Sequence, residues 1–260
     1  MKHFTGFFIQ KLIPWGIPAV IIIIWQIFAK EGIVSPKILP APSDVLIAAV
    51  ELAKSGELGH HVWISLLRAV TGFLIGGSIG FILGLVNGLF RTSELLLDTS
   101  VQMLRTIPHL ALIPLVILWF GIGEEAKIFL VALGVLFPVY LNTFHGIKSV
   151  DNGLIEMGKI YGLKGWRMFA HVIFPGSLSS ILVGIRFSLG VMWITLIVAE
   201  TISSTSGIGY MAMTAREFMQ MDVILLSILL YALFGKLSDA IARFFEKRCL
   251  KWHTSYQEQS

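Results

Sequence analysis

Six stretches of mostly apolar residues, near 12–29, 69–90, 99–121, 126–147, 177–199 and 223–243, constrain this chain more than any other feature. About twenty such residues make a helix long enough to cross the ~30 Å hydrocarbon core of a bilayer. Hydrophobic residues make up 55% of the chain and charged ones 14%, against roughly 25% charged in an ordinary soluble domain. A soluble domain of this size has too little interior to hide so much apolar side chain. The expectation is an all-α membrane protein, a single transmembrane domain over residues 1–260 with about six spanning helices. The third span is interrupted by Arg105, Pro108, His109 and Pro114. A broken helix there is tolerable only against protein or a wet cavity.

Lys2, His3 and Lys11 precede the first apolar run, which imitates a signal peptide. The run is longer than a signal core, and Lys30 and Glu31 follow it in place of a cleavage site, so it reads as a retained span. Lys and Arg then orient the bundle. Lys2 and Lys11, Lys148, Lys159, Lys164 and Arg167, and Arg243, Lys247, Arg248 and Lys251 fall on one side of a six-span chain. The positive-inside rule makes that side, with both termini, cytoplasmic. The formal charge of +4 is therefore a topology signal, and nucleic acid is not an expected partner. The lone Cys249 leaves no internal disulfide or thiolate cluster, and His60 and His61 have no acid or cysteine at metal spacing, so no metal is expected.

Residues 30–68 form an external segment punctuated by Pro36, Pro40 and Pro42, with Ser43 and Asp44 positioned to cap a short helix through about Lys54. In the second span Gly72, Gly76, Gly80, Gly84 and Gly88 recur every fourth residue. That spacing traces a slowly winding ridge without side chains, onto which another helix backbone can close.

The loop 148–176 is the longest on the cytoplasmic side, and its apolar and basic residues alternate as on a helix. Its pattern is a short amphipathic helix, a turn at Gly162 and a second short helix closed by Pro175, a shape able to dock on a soluble partner. The segment resembles the EAA loop of bacterial ABC importer permeases: EAA, three residues, Gly, nine residues, then I-x-L-P. Here Glu156-Met157-Gly158, Gly162 and Val172-Ile173-Phe174-Pro175 stand in register; Met157 is the one bulky departure. The segments ILPAPSDV, LLDTSVQMLRTIPHLALIPLVILWFGIGEEAKIFLVALG and GIRFSLGVMWITLIVAETISSTSGIGYMA resemble permeases for aliphatic sulfonates, taurine, nitrate and related small anions.

The resemblance implies a MetI-like permease fold in the bacterial inner membrane. It implies two copies of the chain around a pore, two ATPase subunits that hold ATP and magnesium, and an extracytoplasmic solute-binding protein. In such an arrangement the loop couples pore to ATPase, with Glu156 on the ATPase, Gly162 allowing the turn and Pro175 setting the entry angle of span five. No cofactor is expected on this chain, and it is not expected to be an enzyme. Gly153-LIEM-Gly158-Lys159 imitates a phosphate-binding loop, but Ile160 replaces the hydroxyl that holds magnesium, and no strand precedes it.

Four residues are candidates for the substrate path. Arg186 lies deep in span five, where a charge costs about 2.5–3.5 kcal/mol on an insertion scale. It therefore needs a partner or an anion, and a guanidinium forks onto oxyanions. Trp193 and Glu200 lie further along, with Glu200 at the external end, either gating the pore or simply exposed. Arg105 either joins the path or snorkels to the interface. His109 is expected to be packed or hydrogen-bonded. A secondary carrier would need intramembrane acids and repeated halves, and the acids here cluster at span ends. A membrane enzyme would need a nucleophile elbow, an HExxH or paired acids, and the sequence carries none of these.

Overall fold

The computed structural model describes the backbone of residues 2–251 and the side chains of residues 16–251 except Ser203. The expected cytoplasmic Lys2 and Lys11, and the first residues of span one, therefore lie outside the described side chains. The helices in order are α1 (Lys2–Lys30), α2 (Pro42–Ser55), α3 (Glu57–Leu89), α4 (Arg91–Thr106), α5 (His109–Phe120), α6 (Glu124–Lys148), α7 (Asn152–Ile160), α8 (Gly165–Ile202), α9 (Ile208–Glu217) and α10 (Met221–Cys249). The fold is all-helical. Helices α3, α6, α8 and α10 are each long and apolar enough to cross a membrane, and α4 with α5 makes a fifth candidate span bent by 79°.

The bend corrects the single third span drawn over 99–121. Thr106 ends one helix, Ile107 and Pro108 are extended, and a turn of 3-10 helix restarts the chain at His109. Pro108 disfavours helix at the residue before it. His109 Nε2 then meets Thr195 Oγ1 of α8 at 3.2 Å, which pins the bend to the bundle as hydrogen bonding predicts.

The glycine ridge sets the centre of the molecule. A Cβ at Gly76 would overlap the carbonyl oxygen of Ala132, and one at Gly80 that of Leu136. At Gly72, Gly84 and Gly88 it would strike Val131, Thr143 and Ile147 at 2.6–2.9 Å. Helices α3 and α6 thus pack closely over more than four turns, backbone against backbone at Gly76 and Gly80. Helix α6 turns its other side to α8 through Gly134 and Gly146. Trp193, Leu196 and Tyr231 complete this core from α8 and α10.

Two boundaries move. The helix of the second span starts well before residue 69, because α3 begins at Glu57 and carries Arg68 in its interior. Arg68 reads as the flank of a span, yet it is 2% exposed and fully paired. The cap of α2 also shifts. Pro42 is its first residue, Ala41 its N-cap, and Asp44 reaches back to accept the Ala41 N–H at 3.2 Å. Trp25 Nε1 donates to the Pro40 carbonyl and Gln26 bonds Ser43, which fastens α1 to this corner.

Because the seam leaves no room even for a methyl group, Gly80→Ala is expected to destabilise the folded chain by about 1–3 kcal/mol. Gly59→Ala, where nothing lies within 4 Å of the added carbon, is expected to leave it unchanged. Thermal unfolding in detergent compares the two. Equal melting temperatures would contradict a closed seam.

Candidate functional site

The loop between α6 and α8 is built by local chemistry. Asp151 caps α7 by accepting the Gly153 N–H at 2.7 Å. The helix ends in a paired closure: Gly162 N–H donates to the Lys159 carbonyl at 3.0 Å and Leu163 N–H to the Gly158 carbonyl at 2.9 Å. This is the six-to-one and five-to-two pattern that needs a left-handed residue just past the helix. Gly162 supplies it with φ of 77°.

Gly158 is buried. A Cβ there would meet Met168 Sδ and Cε at 3.0 Å and Val172 Cγ2 at 3.3 Å. A small residue at this position therefore lets α7 fold back onto the start of α8. Gly158 and Val172, fourteen positions apart, meet in one contact, while Phe174 packs its ring on Phe169. Glu156 and Met157 face solvent. Leu154, Met157, Ile160, Tyr161 and Trp166 are all exposed, Ile160 at 84% and Tyr161 at 78%. Ile160 is thus no part of a packed face, although the apolar spacing of the loop pairs it with Ile155 and Leu163, which are half-buried.

Pro175 does not separate the second short helix from span five. The helix runs without a break from Gly165 through Ile202, widening into a π-turn at Phe169–Ile173 just before Phe174-Pro175. Pro175 has no N–H to donate, and the wider turn precedes the place where that bond is missing. The second half of the loop and the membrane span are therefore one rod of 38 residues, about 57 Å at 1.5 Å per residue.

The far end of that rod carries Glu200. The exposed carboxylate weighed for this position is instead 1% exposed. It accepts from Arg68 Nη1 at 2.7 Å, Ser65 Oγ at 2.8 Å, and Tyr231 Oη and the Gly209 N–H at 2.9 Å. Arg68 also forks onto Glu124 at 2.5 and 2.6 Å and donates to Ser204 Oγ and to the Ser206 carbonyl and hydroxyl. The Ser/Gly loop 204–207 is thereby clamped to α3. Gly207 N–H adds a bond to His61 Nδ1 and Ile208 N–H one to Ser65 Oγ. Ser65, Arg68, Glu124 and Tyr231 escaped the sequence reading. Their one signal was that a charge inside an apolar helix requires an opposite charge elsewhere.

The remaining path candidates divide. Trp193 is 5% exposed, donates to Ser238 Oγ at 2.9 Å and stacks on Phe234. It belongs to the core and not to an open path. Arg105 is exposed at the bend. Arg186 is half-buried, bonded to Asp239 at 2.7 Å with Glu246 at 3.6 Å, and it borders an open cavity of about 450 Å³ with Phe187, Gly190 and Asp239.

Residues 76–251 match the family described as the inner membrane component of binding-protein-dependent transport systems. The chain belongs to this family. It is a permease subunit of an ABC importer, a multi-pass protein of the inner membrane. The permease is 58% identical, over 95% of its length and 94% of the relative's, to an Escherichia coli protein described as the aliphatic sulfonates transport permease SsuC. It is 48% identical to the Bacillus subtilis protein of the same description, over 93% and 87%. It is 35% identical to the E. coli taurine transport permease TauC, over 95% and 92%. Its fold matches a solved amino acid ABC transporter with a TM-score of 0.61 at 17% identity, over 78% of the permease and 96% of that chain. The methionine transporter MetNI matches at 0.50 and 20% identity, over 69% and 90%.

Removing one side of the buried cluster leaves an uncompensated charge. Arg68→Met is expected to cost about 3–5 kcal/mol, and the double change Arg68→Met with Glu200→Gln to recover part of it. Unfolding of the purified permease measures both. A double variant as unstable as the sum of the two single changes would contradict the pairing.

Proposed function

We propose that this permease forms, with a second copy, the inner-membrane route for an aliphatic sulfonate, and that a separate ATPase drives it by gripping α7. The observation that carries the reading is the α7 turn. It is a capped projection whose apolar Leu154, Met157, Ile160 and Tyr161, with Trp166 at the start of α8, stay exposed although the chain packs Gly158 tightly beneath them. Exposed apolar side chains clustered on a built scaffold mark a surface for a protein partner. The cargo is inferred from the sulfonate relatives. Taurine and nitrate are the alternatives from the same group.

The mechanical account follows from α8. Two ATPases closing on ATP and magnesium would draw two α7 projections together, and α8 would carry that displacement along its length to Glu200. There the Arg68 cluster holds the Ser204–Gly207 loop, so a shift of the rod is felt at the opposite face of the membrane. A two-state switch of this kind responds only to a ligand that binds its two states unequally. ATP, bound by the partner and not by this chain, fills that role. Both termini and α7 lie in the cytoplasm in this reading, and the loop held by Arg68 faces the solute-binding protein. Arg186 takes part in the path, and Arg105 at the exposed bend sits at its cytoplasmic mouth.

Gly162→Val forces a branched residue into the left-handed region at the tip of the projection, where nothing lies within 4 Å of an added carbon. Insertion and abundance are expected to stay normal while ATP-driven ethanesulfonate uptake falls at least tenfold in proteoliposomes. Normal uptake by this variant would count against the coupling role of α7.

A further inference from the structure

Helix α10 carries a set of charges that the account above does not use. Lys236 stands within the sixth apolar stretch, about two turns before its end near residue 243, and its side chain is 63% exposed. A half-exposed Arg243 follows two turns on, and Lys247 lines the same groove of about 370 Å³. An ammonium at that depth is not left against acyl chains. Such residues face a bundle interior or a water-filled cavity. The face of α10 bearing Lys236, Arg243 and Lys247 is therefore wet.

The group that these cations surround is Asp239. Arg186 Nε from α8 lies 2.7 Å from its Oδ1, Arg243 bonds its Oδ2, and Lys236 Nζ lies 4.0 Å from that same oxygen. Three cations converge on one carboxylate. Glu246, 3.6 Å from Arg186, adds a second acid on the core side, so the cluster keeps a net positive charge before Lys247 is counted. A carboxylate and a sulfonate present similar anionic oxygens to a guanidinium, which donates to either in a fork.

We propose that Asp239 is a resident stand-in for the transported anion, and that the sulfonate passes inward by replacing it on Arg186, Lys236 and Arg243 before moving on to Lys247. The inference rests on the anion cargo proposed above. Asp239 keeps the arginines compensated when the route is empty. The excess cation makes room for a second anion, and the covalent tether of the carboxylate lets it return and expel the cargo. This is a binding site that is favourable enough to enter and weak enough to leave.

The test uses the complete transporter with its ATPase and binding protein in proteoliposomes, with labelled ethanesulfonate as probe. Arg186→Gln, Lys236→Gln and Arg243→Gln are each expected to lower sulfonate delivered per ATP hydrolysed at least tenfold at normal abundance, and Lys236→Arg to retain most of it. Asp239→Asn removes the competitor. It is expected to retain label on the complex through gel filtration, and adding Lys236→Gln is expected to abolish that retention. Unchanged delivery by both Lys236→Gln and Arg243→Gln, or failure of Asp239→Asn to hold label, overturns the proposal. If the wild-type complex carries nitrate or taurine in place of ethanesulfonate, the sulfonate assignment fails and the same variants are read with that solute. Transport of only neutral or cationic solutes would sink both.

Discussion

The contact between α3 and α6 governs the rest of the structure. Lipid gives little drive for helices to associate, so close packing must supply it. Gly76 and Gly80 let the backbones meet at the carbonyls of Ala132 and Leu136. The pair so formed carries a polar cluster near each end. One is Arg68 with Glu124 and Glu200. At the other, Asn87 and Tyr140 hold Asp98 and Ser93 of α4, with Tyr140 Oη donating to Asp98 at 2.6 Å and Asn87 Nδ2 to Tyr140 Oη at 2.8 Å. Each cluster tethers an irregular stretch of chain, the Ser204–Gly207 loop at one end and the π-turned start of α4 at the other. A fixed post with a tethered segment at each end suits a pore that opens on one side at a time.

In the proposed mechanism helix α8 is the moving counterpart. It begins beneath α7, passes Arg186 and Trp193, and ends at Glu200. Its irregularity is confined to the π-turn before Phe174 and Pro175, near the end that takes force from the ATPase in the proposed mechanism. Helix α8 therefore links the α7 projection at its start, the charged site through Arg186 and the Arg68 cluster through Glu200, and no chain of loose contacts is needed between them.

Apolar length and spacing made most of the fold legible. The glycine period in span two announced a close helix contact, and its partner is α6. The turn after α7 was readable because its glycine, Gly162, acts locally, and Gly158 stood out through the resemblance of the loop; the Asp151 cap was not read from the sequence. What stayed hidden is non-local. Arg68 and Glu200 are 132 positions apart, and each alone looks like the polar end of a span. Trp193 and Arg186 lie on one helix about two turns apart, yet one faces the core and the other a cavity. Only the neighbours on α10 decide that difference. The broken third span was foreshadowed by Pro108, but its 79° angle and the contact of His109 with Thr195, 86 positions away, were not.

The central claim is that α7 is held by a nucleotide-hydrolysing subunit at the cytoplasmic face. The direct measurement places one thiol there. Cys249→Ser removes the native cysteine, and Met157→Cys puts a new one at an exposed position of α7. A short photoreactive crosslinker on that thiol, in inside-out vesicles of the complete transporter, should capture a subunit that hydrolyses ATP, with a yield that changes when ATP is added. A thiol that reacts only from the opposite face of the membrane, or that captures no ATP-hydrolysing chain, would contradict the account.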